Sequence, residues 1–202
     1  MSLLEGVSVV TWDVDGTLYE LPAMAACLRR AALRRGLRAP LRVLREQRWL
    51  AQLRAAMEGV RRAGGELRHL GALPRPRAEL AALEERWYGE AIRRAGPRPG
   101  VPETLADLRA RGLRLVAVSD HPADYKLAAL GLSGCFERVY VGEALGVLKP
   151  SPRLFEAVLE DLSLAPAALL HVGDRDDSDR PAATGAGCRF TLLAPGPVGP
   201  IG

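Results

Sequence analysis

The chain has 202 residues, 48% of them hydrophobic and 26% charged, with a formal net charge of +4. That length buries a sizeable core without disulfide or metal staples, the apolar share excludes general disorder, and no apolar run approaches the roughly 20 residues that cross a bilayer. Arginine supplies 26 of the 28 basic residues beside an excess of Ala, Leu, Pro and Gly, a bias of the whole sequence that makes net charge weak evidence for nucleic acid.

The first element is the run Val7 to Leu18, apolar and β-branched until it ends in Asp13 and Asp15, one residue apart, and then Gly16. The pattern predicts a buried parallel strand that delivers carboxylates to the mouth of a sheet, where open α/β sheets hold their ligands. In a continuous strand Asp13 and Asp15 would point to the same side. A turn beginning near Asp15, supplied by Gly16, lets the two acids share a site without squarely facing each other. Asp13 and Asp15 are the candidate catalytic centre.

Residues 19–96 contain no strand-like run and break at 36–40, 64–65 and 74–76, which predicts three helices near 23–36, 41–63 and 77–95. Leu50, Leu53, Met57 and Val60 recur at helical spacing, as do Leu80, Leu83 and Trp87. These stripes read as packing faces and the arginines between them as a mainly solvated face.

From Pro97 the rhythm changes to helix 101–111, strand 113–119, helix 122–131, strand 137–142, helix 152–162, strand 168–173, helix 179–186 and strand 188–193. This is the βαβ alternation of a doubly wound, Rossmann-like parallel sheet. The expected organisation is an α/β core of residues 1–18 and 97–202, with 19–96 an all-helical insertion directly after the first strand. The tail 194–202, rich in Pro and Gly, is expected to be loose.

The amino terminus lacks the charged-then-apolar pattern of a signal peptide, so a cytoplasmic location is expected. Cys27, Cys135 and Cys188 have no metal or redox spacing and read as reduced structural thiols.

Three further groups fall at strand ends or just beyond them. Ser119 closes the second strand and can donate its hydroxyl to a phosphate oxygen. Lys149, one of only two lysines, offers a compact charge for phosphate after the third strand. Asp174, Asp176, Asp177 and Asp179 crowd the loop after the fourth strand, an oxygen-rich set suited to a hard divalent cation such as Mg²⁺. Acids, hydroxyl, lysine and acids again, converging on one rim of the sheet, suit a phosphorylated substrate and a magnesium ion.

With these motifs in order, Asp13-Val-Asp15-Gly-Thr17, Ser119, Lys149-Pro150 and Gly173-Asp174 with Asp179, the chain resembles the haloacid dehalogenase (HAD) superfamily along essentially its whole length. The likeness is to the phosphatase-like branch with a helical cap.

The resemblance implies that Asp13 is a nucleophile forming an aspartyl-phosphate and Asp15 the general acid and then base, its pKa raised by neighbouring carboxylates. It implies Mg²⁺ held by the Asp13 carboxylate, the Asp15 carbonyl and Asp174, with Asp179 in support. Ser119, Lys149 and the backbone beside Thr17 would hold phosphoryl oxygens. Asp120 stands where the family commonly has asparagine, and its carboxylate is expected to point away from the phosphate. His171 is read as structural, and His121 as close enough to Ser119 to reach substrate.

The expected activity is Mg²⁺-dependent hydrolysis of a small phosphorylated metabolite by a monomer or homodimer, with no nucleic-acid or membrane partner. A phosphomutase shares every motif. The alternative from another class is a non-catalytic protein that binds through its Arg-rich cap.

Overall fold

The computed structural model describes residues 3–201. Five parallel strands, β1 (Val9–Trp12), β2 (Arg114–Ser119), β3 (Arg138–Val141), β4 (Leu169–Gly173) and β5 (Arg189–Leu192), form one sheet in the order β3-β2-β1-β4-β5. β1 is buried at all four positions because strands pair on both of its edges, Val10 opposite Leu115 on one side and Leu170 on the other. Helices then cover both faces.

Alternate side chains go to opposite faces, as the period of two requires. Val10, Trp12, Leu115, Ala117, Leu170 and Val172 pack with α5 (Val101–Ala110) and α6 (Asp124–Leu130). Val9, Val116, Val118 and Leu169 pack with α8 (Arg153–Leu162) and α9 (Asp179–Gly185). The chain runs from β1 outward to β3 and then crosses to β4, so the strand order reverses beside β1. The crevice beyond the carboxyl ends of β1 and β4 is the site such a reversal creates.

Between β1 and α5 lie the helices α1 (Leu21–Gly36), α2 (Pro40–Arg62), α3 (Arg77–Glu84) and α4 (Glu90–Ala95); α7 is a single turn, Gly142–Leu145. A π-helical turn, Glu85–Gly89, joins α3 to α4, so the expected third helix runs through with one widened turn. Leu53, Met57, Val60 and Leu80 cluster with Leu148 of the core, while Leu50, Leu83 and Trp87 cluster with Ala31. The Trp87 indole donates to Glu46 Oε2 at 2.9 Å.

The segment between α2 and α3 also pairs with the loop after α7 as a short antiparallel bridge: Leu67 N–H donates to Gly146 O at 3.0 Å and Leu148 N–H to Gly65 O at 2.6 Å. Gly65 has φ +85°, and a Cβ there would fall inside the Leu148 carbonyl. Only glycine allows that approach.

The tail corrects its expectation. Val198 and Ile201 are buried, Val198 N–H donates to Pro99 O at 2.8 Å, and the guanidinium of buried Arg98 donates to Ala194 O at 3.1 Å. Two apolar anchors in a Pro/Gly-rich segment suffice to seat it against α5. All three cysteines are free. Among the described residues no helix is long and apolar enough to cross a membrane.

Candidate active site

β1 stops where its side chains turn polar. Asp13 remains tied to the sheet, its N–H donating to Val172 O at 2.9 Å, and Gly16 turns the chain with φ +94°. A Cβ on Gly16 would overlap the carboxylate of Asp174, so the missing side chain is what lets the loop after β4 approach the loop after β1. Gly173 does the same for Asp179, whose carboxylate a Cβ would also overlap.

Asp13, Asp174 and Asp179 therefore gather with one oxygen each, all within 4.8 Å of one another. Lys149 enters between two of them, its ammonium donating to Asp13 Oδ1 and, at 2.5 Å, to Asp179 Oδ1. Burial pushes the Asp13 carboxyl well up; Lys149 pulls against it, while Asp179, Asp174 and Asp15 push the same way. One ammonium facing three carboxylates leaves the cluster short of positive charge.

Asp179 is held down against its own burial by Lys149 and His171. His171 is buried and its pKa is lowered, chiefly by that burial. The neutral ring donates from Nε2 to Asp179 Oδ1 at 3.3 Å and accepts the Thr11 hydroxyl at Nδ1, 3.0 Å away. The histidine read as structural thus orients an acid of the cluster.

Asp15 departs from expectation. Burial pushes its carboxyl up, but the Lys126 ammonium, His121 and the Tyr19 hydroxyl outweigh it and hold the group at about 2. Lys126 is itself buried and donates to Asp15 Oδ2 at 2.5 Å. It is the second lysine of an arginine-rich chain, and the rarity that singled out Lys149 applies equally to it.

Asp120 is also a correction, because it lines the cleft. Its Oδ1 accepts the Lys149 N–H at 2.8 Å and its Oδ2 accepts Arg61 Nε at 2.9 Å. The charge is neutralised from the insertion, and the carboxylate holds the lysine loop in place. Arg61 NH2 also donates to His121 Nε2 at 3.2 Å, while His121 Nδ1 faces Glu143 Oε1 at 2.5 Å. Arg77 grips Glu143 with two donors, at 2.7 and 2.9 Å. These two arginines of the insertion were not separable in the sequence from the solvated majority, since their acidic partners lie 59 and 66 positions away.

A cavity of about 570 Å³ opens over the cluster, walled by the core below and by α1, α2 and the π turn above. Asp13, Asp15, Lys149 and Asp179 line it, and so do Lys126 and His121. Asp174 stands against Gly16 in the acid cluster, where its Oδ1 accepts the Thr17 hydroxyl at 3.4 Å. Ser119 is buried at the end of β2, its Oγ accepting the His121 N–H at 3.3 Å. Asp176 and Asp177 are turned outward to Arg180 and Arg175.

The family model for haloacid dehalogenase-like hydrolases matches residues 7–187. The glyceraldehyde 3-phosphate phosphatase of Methanopyrus kandleri is 33% identical, over 90% of this chain and 81% of that protein. The phosphoglycolate phosphatase of Escherichia coli O157:H7 is 30% identical, over 93% and 81%. Among solved structures, the magnesium-bound HAD-hydrolase YfnB of Bacillus subtilis superposes with a TM-score of 0.66 over 93% of this chain and 88% of that one, at 21% identity, a likeness of fold alone.

Proposed function

The chain belongs to the haloacid dehalogenase-like hydrolase family, and from that premise we propose that it is a Mg²⁺-dependent phosphatase of a small phosphomonoester, acting through an aspartyl-phosphate on Asp13. The observation that carries this reading is the gathering of Asp13, Asp174 and Asp179 around Lys149 at the mouth of β1 and β4. Phosphatases among its relatives support the reaction class.

The donor set fits the ion: three hard carboxylate oxygens, short of compensating charge, two of them on carboxylates whose approach the missing side chains of Gly16 and Gly173 allow. Asp13, Asp174 and the Asp15 carbonyl would hold it, with Asp179 in support. Bound there, it would screen the repulsion between an anionic nucleophile and a phosphate dianion.

In the first step an Asp13 oxygen bonds to phosphorus as the ester P–O bond breaks, and the departing oxygen takes a proton from Asp15. In the second, Asp15 removes a proton from water, the water oxygen bonds to phosphorus, and the bond to Asp13 breaks. Lys149, with Ser119 and the backbone near Thr17, would carry the phosphoryl charge. Asp15 held down at about 2 is ready for the base step; for the acid step the proton is drawn from the Lys126–Asp15 pair. The helical insertion acts as the cap, bringing apolar wall and charged groups over the reacting centre.

The test is phosphate release from phosphoglycolate, glyceraldehyde 3-phosphate and p-nitrophenyl phosphate with Mg²⁺ and with EDTA. Metal-dependent turnover is expected. Equal rates in EDTA would overturn the reading.

Two further outcomes are expected. Gly16→Ala places a Cβ in the Asp174 carboxylate at a backbone φ of +94°, and should weaken Mg²⁺ binding by roughly 10- to 100-fold in a calorimetric titration. Lys126→Met removes the largest influence holding Asp15 down, so burial raises its pKa. With p-nitrophenyl phosphate this variant should release the phenol in a burst and phosphate slowly, the slow phase quickening as pH rises and Asp15 gives up its proton. A slow phase whose rate does not change with pH would argue against Asp15 as the base of the second step.

A further inference from the structure

We infer that the substrate's alcohol is an apolar body, aryl or branched alkyl, seated in a chamber that the helical insertion builds above the carboxylates. This rests on the phosphatase reading and names the class of ester it serves. The chamber has two apolar walls. From α1 come Leu21, Met24, Ala25 and Leu28, at positions i, i+3, i+4 and i+7 of one helical stripe, and from α2 only the edges of Leu53 and Met57, one turn apart and each 2% exposed.

Most polar side chains that the helices contribute to this wall are neutralised by protein partners; Arg54, which also lines it, has the Tyr88 hydroxyl alone. Arg61 is held by Asp120 and Glu58, Glu84 pairs with Arg77 at 2.8 Å, and the Tyr88 hydroxyl accepts from Arg54. A sugar hydroxyl entering here would lose water and meet leucine and methionine, which desolvation penalises. An apolar group loses nothing and dries the wall.

Size points the same way. A cavity of about 570 Å³ lies in the range of sites that enclose drug-sized ligands. A two- or three-carbon alcohol fills a small part of that volume, while a benzyl or 3-methylbutyl group fills more of it and gives the α1 stripe an apolar partner. Leu53 and Met57, read in sequence as packing residues, do two things: they join the cluster around Leu80 and roof the site.

The experiment compares kcat/KM, with Mg²⁺, for benzyl phosphate and 3-methylbutyl phosphate against glycerol 3-phosphate, glucose 6-phosphate and phosphoglycolate. All are esters of alkyl alcohols, so differences report binding of the body more than leaving-group acidity. Each matched methylene is worth roughly fourfold, and the apolar esters should lead by more than about tenfold. Leu28→Asn, at a half-buried position that also packs against the Leu50 and Trp87 cluster, should narrow the benzyl-to-glycerol ratio to within about threefold through KM, while Leu28→Met, which keeps the packing, holds both the ratio and the melting temperature.

Preference for glycerol 3-phosphate, glucose 6-phosphate or phosphoglycolate would overturn the inference while leaving the phosphatase reading standing, as would a ratio that Leu28→Asn does not move. Failure to hydrolyse any of the five esters while p-nitrophenyl phosphate is turned over would overturn the inference alone, and failure on p-nitrophenyl phosphate as well would sink both.

Discussion

Asp13→Asn should reduce phosphate release by roughly four orders of magnitude or more, the scale on which removal of a nucleophile acts, without loosening the fold. Asp13 is buried among Asp179, Asp174 and Asp15, and its carboxyl is pushed up accordingly. A folded-state pKa raised above the unfolded value means that ionisation of this group costs stability at neutral pH. The amide removes that cost and keeps the shape, and Lys149 retains Asp179 as its partner. The melting temperature should therefore hold or rise while activity disappears. Residual turnover above about a hundredth of wild type would place the nucleophile elsewhere.

Lys149→Met should damage both activity and stability. Lys149 is 2% exposed and bridges Asp13 and Asp179. Burial alone would lower its pKa, but Asp13, Asp179 and Asp120 outweigh that and raise it. A raised cationic pKa means that the contribution of Lys149 is fully present below the unfolded value near 10.5 and fades only under strongly alkaline conditions. Removing one partner of a buried pair leaves uncompensated charge, at a cost of about 3–5 kcal/mol, so urea unfolding at neutral pH should show a loss of that size. The loss should shrink as pH falls and Asp13 takes up a proton. Transition-state charge also loses a donor, worth roughly a hundred- to a thousandfold in kcat. A variant as stable as wild type at neutral pH would mean that the three carboxylates are compensated by something other than this lysine.

These expectations differ in how far they were legible in the sequence. The run Val7 to Trp12 could be read directly, because a strand buried on both faces needs apolar residues at every position, and Asp13 ends that run. The βαβ alternation after Pro97 rests on periodicity and turn residues, which are local, and the predicted elements lie within a few residues of those observed. Lys149 and the acidic loop were visible as chemistry at strand ends. The π turn at Glu85–Gly89 was not, since it changes hydrogen-bond spacing without changing the apolar stripe that announces the helix.

What the sequence by itself determined was the order of elements, the face each apolar stripe would seek, and the carboxylates and lysine set at strand ends. All of these follow from interactions between residues a few positions apart. The tertiary structure alone decided that Lys126, 111 positions from Asp15, sits on that carboxylate and holds it ionised. It decided equally that Arg61 neutralises Asp120, that Val198 and Ile201 tie down the tail, and that α1 and α2 face each other across one chamber. Charge and burial are sums over space, and neighbours in space become known only once the chain has closed on itself.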